Sequence, residues 1–247
     1  MDLTMQHFIS VLDQLIEDNP YFAFYFQSPF SIEVEGSLSY GYKAPRNISF
    51  YSGATRGVIA DADWDEVVKF ELSEYEDEVN PCAAEVSIYE AAMECGLSSY
   101  FVRPRYIGTY TKTVKTYPWS AFADYEDTLD LSEEEFETLI EDLGLTDADM
   151  REIIISLPLY AYEKANNVGW TCEEYEDEDC EIAKSYDSPL NERAEEVAAS
   201  FVHEYGEILF AKLSGFLSEW CVNDLHCGNV GWIDGRLVLI DYAGYHA

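Results

Sequence analysis

Val222-Asn-Asp-Leu-His-Cys-Gly-Asn-Val-Gly-Trp-Ile-Asp-Gly-Arg-Leu-Val-Leu-Ile-Asp-Tyr-Ala-Gly244 carries more structural information than any other stretch of the chain. Asp234-Gly235 separates two apolar runs, Val230 to Ile233 and Leu237 to Ile240, and Asp-Gly tolerates the positive φ angles of a type I′ turn. A β-hairpin is predicted, and a hairpin brings its two ends together. Asn229, just before the first strand, and Asp241, just after the second, are therefore expected to meet. An amide oxygen beside a carboxylate suits Mg²⁺, which keeps several waters and takes further oxygens from phosphates. Asp224, in the loop before Asn229, is placed to orient a hydroxyl that attacks phosphorus.

Upstream, Asn191 to Trp220 reads as one long helix with Val197, Phe201, Ile208, Leu209 and Leu213 on its apolar stripe. Glu173 to Asp179 reads as a solvated acidic loop. Residues 132 to 165 read as helical, with Ser132 and Glu135 as a capping box, Gly144 as a stop, and Thr146 or Asp147 opening a second helix. Phe101 to Tyr117 reads as two strands joined near Gly108. Asn80-Pro81 starts a helix that Gly96 stops, with Glu85, Ile88, Ala92 and Cys95 on one side. Ser31 to Phe70 is strand-like and punctuated by glycine. Residues 3 to 17 form a helix with Leu3, Phe8, Val11, Leu12 and Leu15 on its apolar face, stopped by Asn19-Pro20. Strands come first, helices follow and a strand pair closes the order, which is a two-lobed α+β plan.

The 247 residues include 14 Lys+Arg against 49 Asp+Glu, a net charge of −35, with 48% apolar and 15% aromatic residues. So much aromatic and apolar material supports a real core despite the charge. The acidic excess argues against direct nucleic-acid binding, whose affinity comes largely from cations neutralising phosphates. The first residues do not read as a secretory leader, and the apolar run Tyr21 to Phe26 is too short to span a bilayer, so no membrane partner is expected. Six cysteines without a C-x-x-C pair read as free thiols in a reducing cytoplasm. Cys221, His226 and Cys227 as a Zn²⁺ set lack a fourth ligand and the usual spacing.

Asp224-Leu-His-x-Gly-Asn229, followed by Leu237-Val-Leu-Ile-Asp241, resembles the catalytic loop and metal-binding segment of the protein-kinase-like superfamily. The Asp-Leu-His-x-Gly-Asn wording is similar to that of the aminoglycoside and choline phosphotransferase branch, of atypical kinases, and of small kinases of lytic phages and bacterial effectors. The resemblance implies a two-lobed kinase-like fold with a small β-rich N-lobe and a truncated, mostly helical C-lobe. It divides the chain into an N-terminal helical extension (1–40), an N-lobe (41–125) and a minimal C-lobe (126–247) with an acidic insert near 131–180. By the same resemblance Asp224 is the catalytic base and Asn229 and Asp241 are the metal ligands. Lys69, in Val67-Val-Lys-Phe70, holds the α and β phosphates; a solubility lysine on an edge strand is the other reading of that residue. Glu85 pairs with Lys69, and Glu90 is the alternative. In Tyr51-Ser-Gly-Ala-Thr-Arg-Gly-Val58, Gly53 matches the second glycine of the phosphate loop and Val58 the residue that covers adenine. Tyr51 and Arg56 stand where the first and third glycines would be, and Arg56 can reach a phosphate through its side chain. The adenine-reading hinge is expected between Tyr117 and Asp124. Asn223 replaces the arginine that often precedes the catalytic aspartate. The sequence ends at Ala247, six residues after Asp241, so the resemblance covers a minimal core without an activation loop.

The resemblance implies an ATP- and Mg²⁺-dependent phosphotransferase, read first as a minimal serine/threonine kinase. Its acidic surface suits a docked, basic protein partner. The location implied is cytoplasmic, or the host cytoplasm for a phage- or effector-encoded chain. Two other readings stand beside it: a small-molecule phosphotransferase, and a non-catalytic acidic pseudokinase that acts as a binding module.

Overall fold

A computed structural model describes residues 2–18, 47–52, 56–71, 81–122, 133–167, 177–190, 195–223 and 225–243. The fold is α+β: six α-helices and two sheets are present among the described residues. The chain divides into two compact units, Met1–Glu78 with Arg105–Tyr162, and Val79–Pro104 with Glu163–Ala247. These limits differ from the expected 40 and 125. The first helix belongs to the first unit, and so does most of the segment expected as a C-lobe insert. Tyr117 to Phe122, the described part of the expected hinge, lie inside the first unit, and the chain leaves that unit after Tyr162.

In the first unit, helix α1 (Leu3–Asp18) packs on a five-stranded sheet. The strands are β1 (Ile48–Ser52), β2 (Arg56–Asp61), β3 (Glu66–Glu71), β4 (Arg105–Thr116) and β5 (Arg151–Glu163), in the order β1-β2-β3-β5-β4. The pairs β1–β2, β2–β3 and β4–β5 are antiparallel. Phe8, Leu12 and Leu15 of α1 are fully buried against Ile59, Val68 and Phe70 of β2 and β3 and Leu157 and Leu159 of β5. Each such side chain contributes about 1.5–3 kcal/mol by leaving water. Leu3, expected on the same stripe, is 74% exposed. The first turn is held by polar contacts instead, since Asp2 pairs with Arg105 and the Thr4 hydroxyl donates to Glu66.

Two expectations fail here for physical reasons. The pair of strands predicted around Gly108 is one continuous strand, β4, whose pairing with β5 shifts between Tyr106 and Gly108. Ile107 is passed over in the pairing, Gly108 pairs with Leu159, and the strand runs on without a turn. The second helix predicted after Gly144 is strand β5. Helix α3 (Glu133–Asp142) does end before Gly144, but the Thr146 amide and hydroxyl both donate to Asp149 Oδ2 at 2.9 Å, closing a turn. Beyond it, Ile153-Ile-Ile155 favours the extended state, and Ile155, Leu157, Leu159 and Ala161 alternate into the core. Ser132, the expected cap, lies outside the described residues.

The second unit comprises α2 (Pro81–Glu94), β6 (Asn166–Asn167), α4 (Asp177–Lys184), α5 (Glu195–Tyr205), α6 (Glu207–Glu219), β7 (Val230–Ile233) and β8 (Arg236–Leu239). Its sheet runs β6-β7-β8, and the β7–β8 hairpin turns on Asp234 and Gly235 at φ 49° and 75°, as predicted. Ile88 and Ala92 of α2, Phe201 of α5, Leu213 and Leu217 of α6, and Val230, Leu237 and Leu239 of the hairpin share one core. Cys95, expected on the buried side of α2, lies past the end of the helix and is exposed.

The long helix predicted over 191–220 is two helices. Gly206 separates them at φ 80°, ψ 160°, a conformation that a side chain resists. The break changes which arc of the second helix is buried, so Ile208 and Leu209 are 86% and 40% exposed. The end of the predicted acidic loop is helical: Asp177 to Asp179 open α4, and Asp179 meets His203 at 3.0 Å. Tyr205 donates its hydroxyl to the Leu237 carbonyl and ties α5 to the hairpin, and burial pushes that phenol's pKa up to about 12.

Candidate functional site

The candidate residues of the first unit sit on the sheet face opposite the α1 core. In the β2–β3 ladder Ile59 opposes Val68 and Gly57 opposes Phe70, which turns Ile59, Val68 and Phe70 toward α1. Val58 opposes Lys69 and Arg56 opposes Glu71, so Arg56, Val58 and Lys69 share the other face. Strand β3 is central, with β2 on one side and β5 on the other, which removes the edge-strand reading of Lys69. Lys69 is 6% exposed and is the only buried lysine or arginine among the described residues. Its Nζ stands 4.4 Å from the centroid of the Tyr162 ring. Gly53 lies outside the described residues, and Gly57 is a strand residue paired with both Ser52 and Phe70.

In the second unit the hairpin does what its sequence predicts. The ladder closes at Val230–Leu239, and beyond it the Ile240 N–H donates to the Asn229 carbonyl at 2.8 Å. Asn229 is thereby held beside the residue that precedes Asp241, and both are half-buried. The turn leading into β7 is braced by His226. Its carbonyl accepts from the Asn229 N–H at 2.8 Å and its Nδ1 accepts from the Gly228 N–H at 3.1 Å. A Cβ on Gly228 would stand 2.8 Å from His226 Cε1, so the ring approaches too closely for any other residue to sit there without displacing it. Asp224 lies outside the described residues.

Glu85 of α2 is fully buried, and its Oε1 accepts from the Tyr242 N–H at 3.0 Å. Helix α2 thus reaches the residue directly after Asp241. Tyr242 is itself 1% exposed, donates its hydroxyl to the Val102 carbonyl at 2.8 Å and packs edge-on against Phe101. The Val102 N–H in turn donates to the Leu239 carbonyl at 2.9 Å. The segment 239–242 is therefore tied from three directions. Glu90, the alternative partner for the lysine, is exposed.

The structure brings together Arg56, Val58 and Lys69 in one unit, and Glu85, Asn229 and the Asp241 segment in the other. No family model and no curated protein matches this sequence. Asn229 and Asp241 offer hard oxygen donors, at the end of a ladder that fixes their backbones, and this donor set fits Mg²⁺. Two residues escape the sequence reading. Tyr162 falls in a stretch read as helix, although the alternation from Ile155 to Ala161 signals a strand with tyrosines on its second face. Tyr242 follows Asp241 directly, but nothing in one sequence marks its hydroxyl as an anchor.

Proposed function

We propose that the chain is an ATP- and Mg²⁺-dependent phosphotransferase, most directly a minimal serine/threonine kinase acting on a docked, basic protein. The observation that carries this reading is the hairpin closure that holds Asn229 beside the Asp241 segment, which Glu85 grips through Tyr242. A charge buried in a central strand, Lys69, supports it from the first unit. In this reading Lys69 binds the α and β phosphate oxygens, and Asn229 and Asp241 hold the cation. Bound Mg²⁺ supplies charge neutralisation at the phosphate oxygens. Asp224 orients the acceptor hydroxyl and takes its proton as the γ-phosphoryl group passes to that oxygen and ADP leaves. The protein's part is positioning and electrostatics, since phosphoryl transfer asks little covalent chemistry of it.

A second reading, a non-catalytic acidic binding module, draws on the phosphate loop. Gly57 serves as a strand residue, which leaves Gly53 as the glycine in register. Incubation with γ-labelled ATP, Mg²⁺ and a basic acceptor protein tests the two. Label transferred by the wild type and lost in both Asp224→Asn and Lys69→Met supports the kinase. Partner binding that neither substitution weakens, with no transfer, supports the module. Turnover that needs an added metabolite redirects the assignment to a small-molecule acceptor.

A further inference from the structure

An ammonium group inside a protein loses hydration that something must replace. Lys69 is the one buried lysine or arginine among the described residues, and the face of an aromatic ring lies beneath it. The sheet explains the juxtaposition. Strands β3 and β5 are neighbours, and Leu159 and Ala161 of β5 point into the α1 core. Tyr162 therefore turns to the other face, the face that Lys69 shares with Val58. Its ring is 1% exposed, and its centroid is 4.4 Å from Nζ. The negative face of a ring attracts a cation, and does so more strongly where water is excluded. A ring adds no net negative charge of its own. It can help to fix the place of an ammonium without itself neutralising the charge.

We propose that Tyr162 is a positioning residue that holds the Lys69 ammonium in place for the phosphate oxygens of a nucleotide. This inference rests on the proposed function, and its test separates the two. In the full-length chain, Tyr162 is replaced by Phe, by mono-, di- and trifluorophenylalanine, and by Leu. Binding of the non-hydrolysable analogue AMP-PNP with Mg²⁺ is measured by calorimetry. Tyr162→Phe keeps the ring and is the reference against which the fluorinated series is compared. Each added fluorine drains the ring face and weakens binding stepwise, and Leu weakens it about tenfold, the factor that about 1.4 kcal/mol gives. In a Lys69→Met background the same series is expected to be flat. A flat series with Lys69 present, or an equal decline without it, overturns the proposal. If Tyr162→Leu does not fold, the fluorinated series decides alone.

A second readout needs no nucleotide. Acetylation of Lys69 by a neutral N-hydroxysuccinimide ester, followed by mass spectrometry, is expected to run several-fold faster in Tyr162→Leu than in Tyr162→Phe. If wild type binds no AMP-PNP, the phosphotransferase reading falls, and the labelling rates still judge the contact: a faster Leu variant keeps Tyr162 as the holder of Lys69, and equal rates overturn it.

Discussion

Acidic side chains around α1 and beneath the hairpin are treated in opposite ways. Around α1 the carboxylates meet cations at the rim. Arg105 joins Asp2 and Glu66 with its side chain 36% exposed, and Lys112 joins Asp13 and Glu17, the latter 71% exposed. Beneath the hairpin a single carboxylate, Glu85, is withdrawn from water altogether and meets a backbone N–H. Exposed pairs contribute little because water and salt compete with them, whereas a buried hydrogen bond leaves an orphaned group when one partner goes. The rim pairs therefore orient a helix whose adhesion comes from Phe8, Leu12 and Leu15. The buried contact determines where the residues around Asp241 sit.

Removing the buried acceptor should give the largest effect. Glu85→Leu strands the Tyr242 N–H and is expected to cost about 2 kcal/mol in denaturant unfolding, while Glu85→Gln, which keeps an acceptor oxygen, should cost less than about 1 kcal/mol. A leucine variant as stable as the wild type would break the contrast between the two regions. In the transfer assay the leucine variant should also need more Mg²⁺ for half-maximal activity, because its support of the Asp241 segment is gone.

Asp61 is intermediate: it belongs to the first unit but is 2% exposed. Burial works to raise its pKa. The Asp63 N–H, the Asn47 amide and His7, at 2.8 to 2.9 Å, outweigh burial and hold the carboxyl below its ordinary value. A depressed folded pKa contributes stability above the unfolded value, and that contribution disappears as the pH falls through the folded one. Asp61→Asn should therefore destabilise by about 1–2 kcal/mol at neutral pH. Its difference from wild type should close below about pH 4, the unfolded range. A difference independent of pH would move Asp61 out of the electrostatic class. Tyr242→Phe comes next, at about 1 kcal/mol, since one neutral hydroxyl leaves the Val102 carbonyl.

Legibility followed the range of the forces involved. The hairpin was readable because Asp234-Gly235 and its flanking strands are a local code, and the meeting of Asn229 with the Asp241 segment follows from register alone. α1 and α2 were readable from apolar spacing and stop signals. Strand β5 was not, because 151–163 forms as a strand only by pairing with β4, more than thirty residues earlier, and a charged, apolar-rich stretch carries both periods. The break at Gly206 carries no sequence signal because a lone glycine is tolerated in many helices, and only the folded chain shows its φ of 80°. The centrality of β3, and with it the burial of Lys69, depends on sheet order, which β5 sets. Asp224 and Gly53, both central to the reading, lie outside the described residues.

The smallest expected effect is the sharpest check on the rim. Arg105 bridges Asp2 at the start of α1 to Glu66 on β3, and the two carboxylates keep its guanidinium firmly protonated. About a third of the side chain is in water, where solvent and salt compete with the bridge. Arg105→Gln should therefore cost less than about 1 kcal/mol at low ionic strength. Part of that cost is not local. In a chain of net charge −35, losing one of 14 cations adds repulsion everywhere, and salt screens that repulsion over about 8–10 Å. The difference between variant and wild type should then shrink steadily as NaCl rises to about 0.5 M. Glu85→Leu instead removes one carboxylate and relieves some of that repulsion, so its difference from wild type should not shrink as NaCl rises; its local cost is an unpaired N–H. Equal shrinkage of the two would mean that Glu85 also acts through an attractive charge pair, and the distinction between a polar rim and a buried anchor would fail.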